Sequence, residues 1–179
     1  MISLAMRKFI CLLGLLLLIK CGVAQNADSV VKGPTFVAVN GLVDSSFSIS
    51  QSNLDKFTIA EGKDIPITGP KGDIKRTIKS FKGILLTDIL AKAKISLAKE
   101  KDRGKYIIVV TASDGYKVIF SYNELMFAQA GKNTYLLFEE DGQPITQGGP
   151  FVLLCTSDLI TGPRHVKWVK EITVKKIED

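Results

Sequence analysis

The strongest hydrophobic pattern in this chain is Tyr106-Ile107-Ile108-Val109-Val110-Thr111, an unbroken β-branched run that predicts a buried strand. Ser113-Asp114-Gly115 follows as a turn, and Tyr116 to Phe120 alternates as the hairpin partner. Upstream, Thr35 to Asn40 alternates around Phe36-Val37-Ala38-Val39 and predicts a strand, with Gly41-Leu42-Val43-Asp44 turning into a second short one. Ser50 is placed to cap a short helix through Leu54, and Phe57 to Ile59 predicts a strand. Leu85, Leu86, Ile89, Leu90 and Ala93 fall on one face at helical spacing, so a helix is expected over Ile84 to Ala93. Ser121 with Glu124 three residues on forms a capping box for a helix that Gly131 is expected to close. Tyr135 to Phe138, Phe151 to Cys155 and Val166 to Val174 predict further strands, with an Asp141-Gly142 turn between the first two. Residues 60–80 carry no regular pattern, because Gly62, Pro66, Gly69, Pro70 and Gly72 interrupt it. Seven or eight strands with two or three short helices interrupting them predict an α+β fold with a mixed, strand-rich core.

The N-terminus follows a different logic. Arg7 and Lys8 precede an apolar run of 11 residues, Phe9 to Ile19, too short to span a membrane as a helix. Gly22-Val23-Ala24 places small residues at a signal-peptidase site, so residues 1–24 are expected to be a signal peptide clipped after Ala24. An uncleaved anchor and lipidation at Cys21 are the alternatives, although Lys20 suits a lipobox poorly. Export places the protein in the periplasm or outside the cell. Clipping removes three basic residues and no acid, so the net charge of +6 falls to +3. That balance does not point to nucleic acid. Cys155 becomes the only thiol, which excludes an intramolecular disulfide. Residues 25–34 read as a polar lead-in and 35–179 as one domain.

The chemistry concentrates in Gly162-Pro163-Arg164-His165-Val166-Lys167-Trp168, which holds the only histidine and the only tryptophan. Two cations and an imidazole in four residues suit an oxyanion or phosphate. Arg164 offers a bidentate fork and His165 a further donor. Lys167 alternates with Val166 and Trp168, so it faces either the site or solvent, and Trp168 is expected in the core. Asp114 and Tyr116 are first of all turn residues, functional only if the turn faces the pocket. One histidine and one remaining cysteine do not make a zinc site. A nucleophile elbow, a P-loop and a dinucleotide fingerprint are all absent from the sequence.

The same run resembles the end of the molybdopterin-binding domain of the sulfite oxidase family, where Gly-x-Arg-His-Val-Lys-Trp sits beside the pterin. Further pieces follow in the family's order: Phe36 to Leu54, Phe81-Lys82-Gly83-Ile84-Leu85-Leu86-Thr87-Asp88-Ile89-Leu90, Asp114-Gly115-Tyr116, Leu136 to Ile145 and Gly149-Pro150-Phe151-Val152-Leu153. The resemblance implies that family's fold and a molybdopterin cofactor held by Arg164, His165 and Lys167. It also implies a cysteine thiolate on the metal, from a loop upstream of Phe81. Residues 60–80 hold no cysteine, and Thr68, Thr77 and Ser80 are their only hydroxyls. Cys155 lies in a predicted strand beyond the helix and reads as a small buried hydrophobe.

Two functions remain open. One is an exported sulfite oxidase-like domain that binds molybdopterin or a small anion, as an oxidoreductase or an accessory subunit with a redox partner protein. The other is a cofactor-free module that kept the fold, lost catalysis and binds a ligand or a protein. No catalytic residue is assigned from the sequence, and no protein metal site is expected.

Overall fold

The computed structural model describes residues 33–178, and the expected signal peptide and most of the lead-in lie outside the described residues. Strands β1 (Phe36–Gly41), β2 (Phe47–Ser50), β5 (Tyr106–Ala112), β6 (Lys117–Ser121) and β10 (Val169–Lys176) form one sheet in the order β2-β1-β10-β5-β6. Only the β1–β10 pair is parallel. Strands β3 (Ala60–Thr68), β4 (Ile74–Leu85), β7 (Thr134–Glu140) and β8 (Gln143–Pro144) form the second, and β9 (Val152–Cys155) adds to β7. Three short helices, α1 (Leu86–Ala93), α2 (Tyr122–Phe127) and α3 (Gln129–Asn133), interrupt the strands. The α+β, strand-rich expectation therefore holds.

Alternation explains the layering. Leu136 and Leu153 join the main core with Val37, Ile49, Ile108, Phe120, Ile172 and the buried face of α1. Leu137, Val152 and Leu154 point the other way, into a smaller cluster with Ile67, Ile78 and Phe81. The second sheet is thus covered on both faces, which is why β9 is an unbroken apolar run.

Several expectations shift. The irregular stretch 60–80 is the longest hairpin of the fold, β3 and β4 closed by the Gly69–Gly72 turn. Pro66 is tolerated because β3 is an edge strand, and its carbonyl faces outward to accept from Thr161 Oγ1 at 2.8 Å. Strand β3 begins at Ala60, so Phe57 to Ile59 is not a strand; a 3₁₀ stretch, Gln51–Lys56, precedes it. Ile84 and Leu85 finish β4, leaving α1 to start at Leu86.

The expected helix from Ser121 breaks at Ala128, which is extended (φ −120°, ψ 176°). Gly131 does not close it. Gly131 sits inside α3, where a Cβ would lie 1.7 Å from the Leu125 carbonyl oxygen, so close approach rather than capping selects glycine. Asp141-Gly142 turns into the short β8 before the chain reaches β9. The last strand starts at Val169, and Trp168 is not a core residue. It has φ 51°, is only half-buried, and lays its ring against Gly33 and Gly149.

Candidate functional site

The run from Thr161 to Trp168 is a loop pinned at both ends. Thr161 is 2 % exposed and clasps the outer edge of β3. Its amide donates to Thr68 Oγ1 at 2.9 Å, and its hydroxyl oxygen accepts from the Thr68 amide at 3.0 Å. Gly162 follows because the strand leaves no space; a Cβ there would stand 2.1 Å from the Thr68 carbonyl oxygen. Pro163 opens a single 3₁₀ turn, Gly162–Arg164, a position where its missing N–H costs nothing. The Tyr116 hydroxyl donates to the Pro163 carbonyl at 2.7 Å, so the Asp114–Tyr116 turn does reach this loop. The Asp114 carboxylate itself stays within its turn, accepting from the Tyr116 amide at 2.9 Å. Val166 then exchanges two 2.8 Å backbone hydrogen bonds with Leu153, and the Ser113 amide donates to the Trp168 carbonyl at 2.9 Å.

Each expected ligand side chain has a distinct environment. Arg164 is engaged from inside the protein. Its Nε donates to Asp158 Oδ2 at 2.7 Å, Nη2 pairs with Asp158 Oδ1, and Nη1 donates to Glu124 Oε1 at 2.6 Å. The guanidinium also stacks 4.7 Å from the Phe120 ring centroid. The Asp158 hydrogen bond strengthens its hold on its proton, against desolvation. This is a tie between the loop, the start of α2 and the segment after β9, and it occupies most of the fork.

His165 is half-buried, and desolvation lowers its pKa to about 4, with the charges of Arg76 and Lys167 pushing the same way. Lys167 is exposed, its methylenes running over Gly148. His165 and Lys167 are thus within electrostatic reach of each other, whereas the Arg164 guanidinium is engaged by Asp158 and Glu124.

Arg76, which the sequence did not single out, joins His165 and Lys167 as the third group. It stands on β4 and holds Glu140 at 2.7 Å. Its signal lay in the unread stretch: once 60–80 is a hairpin, the register that pairs Ile67 with Arg76 carries this side chain to the edge clasped by Thr161. Neutral His165 near these two cations can donate and accept hydrogen bonds without adding charge, and with Lys167 and the Arg76 N–H groups that Glu140 leaves it suits an oxyanion.

The metal side is different. Among the described residues no group of three or more His, Cys, Asp or Glu side chains converges. Cys155 is 0 % exposed, with its sulfur 3.4 Å from Ser157 Oγ and 3.8 Å from Arg164 Nη2. The β3–β4 segment that should carry a metal-binding thiolate offers none. A cleft of about 690 Å³ exists, but it is lined by α1, α2 and α3 and includes none of Arg76, Arg164, His165 or Lys167. The cationic face follows from the electrostatic influence of Arg76 and Lys167 on His165, and the cleft does not include it.

Comparison with known proteins bears on these features. Residues 71–179 match the family described as the oxidoreductase molybdopterin binding domain. Among solved structures the chain is similar to the sulfane dehydrogenase SoxCD from Paracoccus pantotrophus, with a TM-score of 0.58 and 18 % identity. That likeness covers 80 % of this chain and 39 % of the other, so this chain spans well under half of that structure's length. At such identity the likeness speaks for the fold alone. A search of curated proteins finds no match.

Proposed function

This chain belongs to the oxidoreductase molybdopterin-binding domain family, and we propose that it is an exported domain holding an oxyanion against Arg76, His165 and Lys167. The oxyanion is the phosphate end of molybdopterin or a small free anion of the same chemistry. The single observation that carries this reading is the placement of half-buried His165 on the loop that Thr161 clasps to β3, within electrostatic reach of Arg76 and Lys167. Burial chiefly keeps His165 neutral, with the charges of Arg76 and Lys167 adding to it, and a bound negative charge offsets that cationic part.

The residues fit the two halves of the cofactor differently. The basic face fits the phosphate. The sole described thiol, buried behind Arg164, does not fit a thiolate-held metal. Molybdopterin, when bound, supplies redox chemistry at molybdenum, but no catalytic step is assigned to a side chain here. The chain's own contribution is to bind and orient the anionic end. Arg164 acts beneath it, holding the 162–165 turn against Asp158 and Glu124. If the cofactor is loaded, a redox partner protein is required to carry electrons.

The engagement of Arg164 by Asp158 and Glu124 and the lack of a ligating thiolate among the described residues favour a second reading: a cofactor-free binding module on the same fold. Purification from a molybdenum-replete host separates the two. Stoichiometric pterin, with molybdenum either absent or lacking a thiolate ligand, is expected under the first reading. No pterin in a protein that still binds phosphate supports the small-anion form. A metal ligated by cysteine overturns both.

Export rests on Arg7-Lys8, the short apolar run and the small residues before Gln25. No helix among the described residues is long and apolar enough to cross a membrane. Intact-mass measurement should find the chain starting at Gln25. A full-length product held in the membrane overturns export with clipping, and a diacylated Cys21 replaces it with a lipoprotein.

A further inference from the structure

The loop that carries His165 and Lys167 is also held from the first sheet, by the turn that joins β5 to β6. That turn is closed by its own bonds. The Gly115 amide donates to the Ala112 carbonyl at 3.1 Å, and the Ala112 amide to the Tyr116 carbonyl at 2.8 Å. Gly115 takes φ 91°, a conformation that suits glycine alone. The Asp114 carboxylate accepts from the Tyr116 amide inside the same turn. The Tyr116 side chain therefore leaves a fixed backbone before its hydroxyl donates to the Pro163 carbonyl.

This turn takes two carbonyls of the loop, and they bracket His165 and Lys167. Pro163 lies two residues before His165, and Trp168 directly follows Lys167. The Tyr116 hydroxyl takes the first carbonyl, and the Ser113 amide takes the second at 2.9 Å. At Pro163 the consequence is specific. The ring fixes φ at about −65°, and a hydrogen bond on the carbonyl restrains ψ, so the plane of the Pro163–Arg164 peptide is set from both sides. His165 follows that peptide directly, its own amide bonded to the Gly162 carbonyl at 3.1 Å. At the other end, φ 51° is costly for a residue as bulky as Trp168 and persists only where the surroundings hold it. The Ser113 amide and the Gly148 carbonyl, which accepts from the Trp168 amide, supply that hold.

We propose that Tyr116 is the positioning residue for His165, and through it for the oxyanion site: its hydroxyl holds the peptide from which the imidazole is set near Arg76 and Lys167. The second half of this statement rests on the oxyanion reading given above; the first half is measurable without any ligand. Tyr116 acts through Pro163. Without the hydroxyl the Pro163 carbonyl is released, the peptide plane turns more freely, and the imidazole gains access to water. Burial is the main cause of its lowered pKa, so that pKa reports the placement.

Two variants test it. Tyr116→Phe removes one oxygen from a half-exposed ring, and Asp114→Ala, at an exposed position, loosens the turn behind it. Far-UV circular dichroism and cooperative urea unfolding establish that each is folded. Proton magnetic resonance of the single imidazole across pH gives the first readout. Its pKa should rise from about 4 in wild type to about 5 or above in Tyr116→Phe, and by less in Asp114→Ala. Calorimetry with inorganic phosphate at pH 7 gives the second. Tyr116→Phe should bind about five-fold more weakly, the equivalent of one neutral hydrogen bond. An imidazole pKa unchanged in both variants, with only a lower urea midpoint, makes the hydroxyl a structural prop and overturns the inference. A raised pKa with the phosphate affinity of wild type overturns the link to the oxyanion site. A wild type that binds no phosphate, with an imidazole pKa that still rises in Tyr116→Phe, overturns the oxyanion reading and supports the hold on His165.

Discussion

Acid should destabilise this protein through a single imidazole. His165 is held at a pKa of about 4 in the fold against 6.5 when solvated. The folded value is the lower one, so between the two the unfolded chain binds the extra proton and stability falls as pH falls. The contribution is intact above about pH 6.5 and fully lost below about pH 4. At pH 5 the unfolded histidine is already protonated while the folded one is not, a gap of about 1.5 pH units, or about 2 kcal/mol. Partial solvent access at His165 trims this to about 1–2 kcal/mol. Urea unfolding at pH 7 and pH 5 reads it, with His165→Gln removing the titration while keeping a polar group. Wild type should lose about 1–2 kcal/mol more than the variant over that interval. As the chain has one histidine, its imidazole proton signals give the pKa directly. Phosphate should move that pKa upward by neutralising Arg76 and Lys167. An equal acid response in both proteins, or an imidazole titrating near 6.5 without ligand, refutes the reasoning.

Two substitutions test the frame under the site. Arg164→Ala strands the Asp158 and Glu124 carboxylates and removes the stacking on Phe120, so unfolding in urea should show a loss of about 3 kcal/mol. A loss below 1 kcal/mol would make the tie incidental. Gly162→Ala drives a Cβ into the Thr68 carbonyl oxygen and opens the Thr161 clasp, for a loss of about 2–3 kcal/mol in the same assay. Phosphate affinity should fall with it, because the loop carrying His165 hangs from that clasp. Unchanged stability and affinity would contradict the placement.

Where periodicity was uninterrupted, the chain could be read directly. The Tyr106–Thr111 strand, its hairpin partner, the buried face of α1 and the fully apolar β9 all follow from it. The β3–β4 hairpin was hidden because its breakers have positional reasons that only pairing reveals. Pro66 sits at an edge with its carbonyl turned out, and Gly69 to Gly72 form a turn, not a loop. Arg76 was lost with it. Trp168 illustrates the opposite failure: Val166-Lys167-Trp168 alternates as a strand, yet Trp168 takes φ 51° and leaves the core. The basic loop itself was legible, but its division of labour was not. Arg164 is tied down by Glu124, 40 residues away, and Asp158, and side-chain pairing at that range leaves no local pattern.

Calorimetric titration of phosphate into the purified protein and into an Arg76→Ala, Lys167→Ala double variant decides whether this face holds an oxyanion. Both side chains stand at the surface, and neither holds the core. Wild type should bind saturably, more tightly as pH falls toward the His165 pKa, and the double variant at least about ten-fold more weakly. Equal affinity in the two proteins, or no saturable binding by a wild type that also carries no pterin, would contradict it.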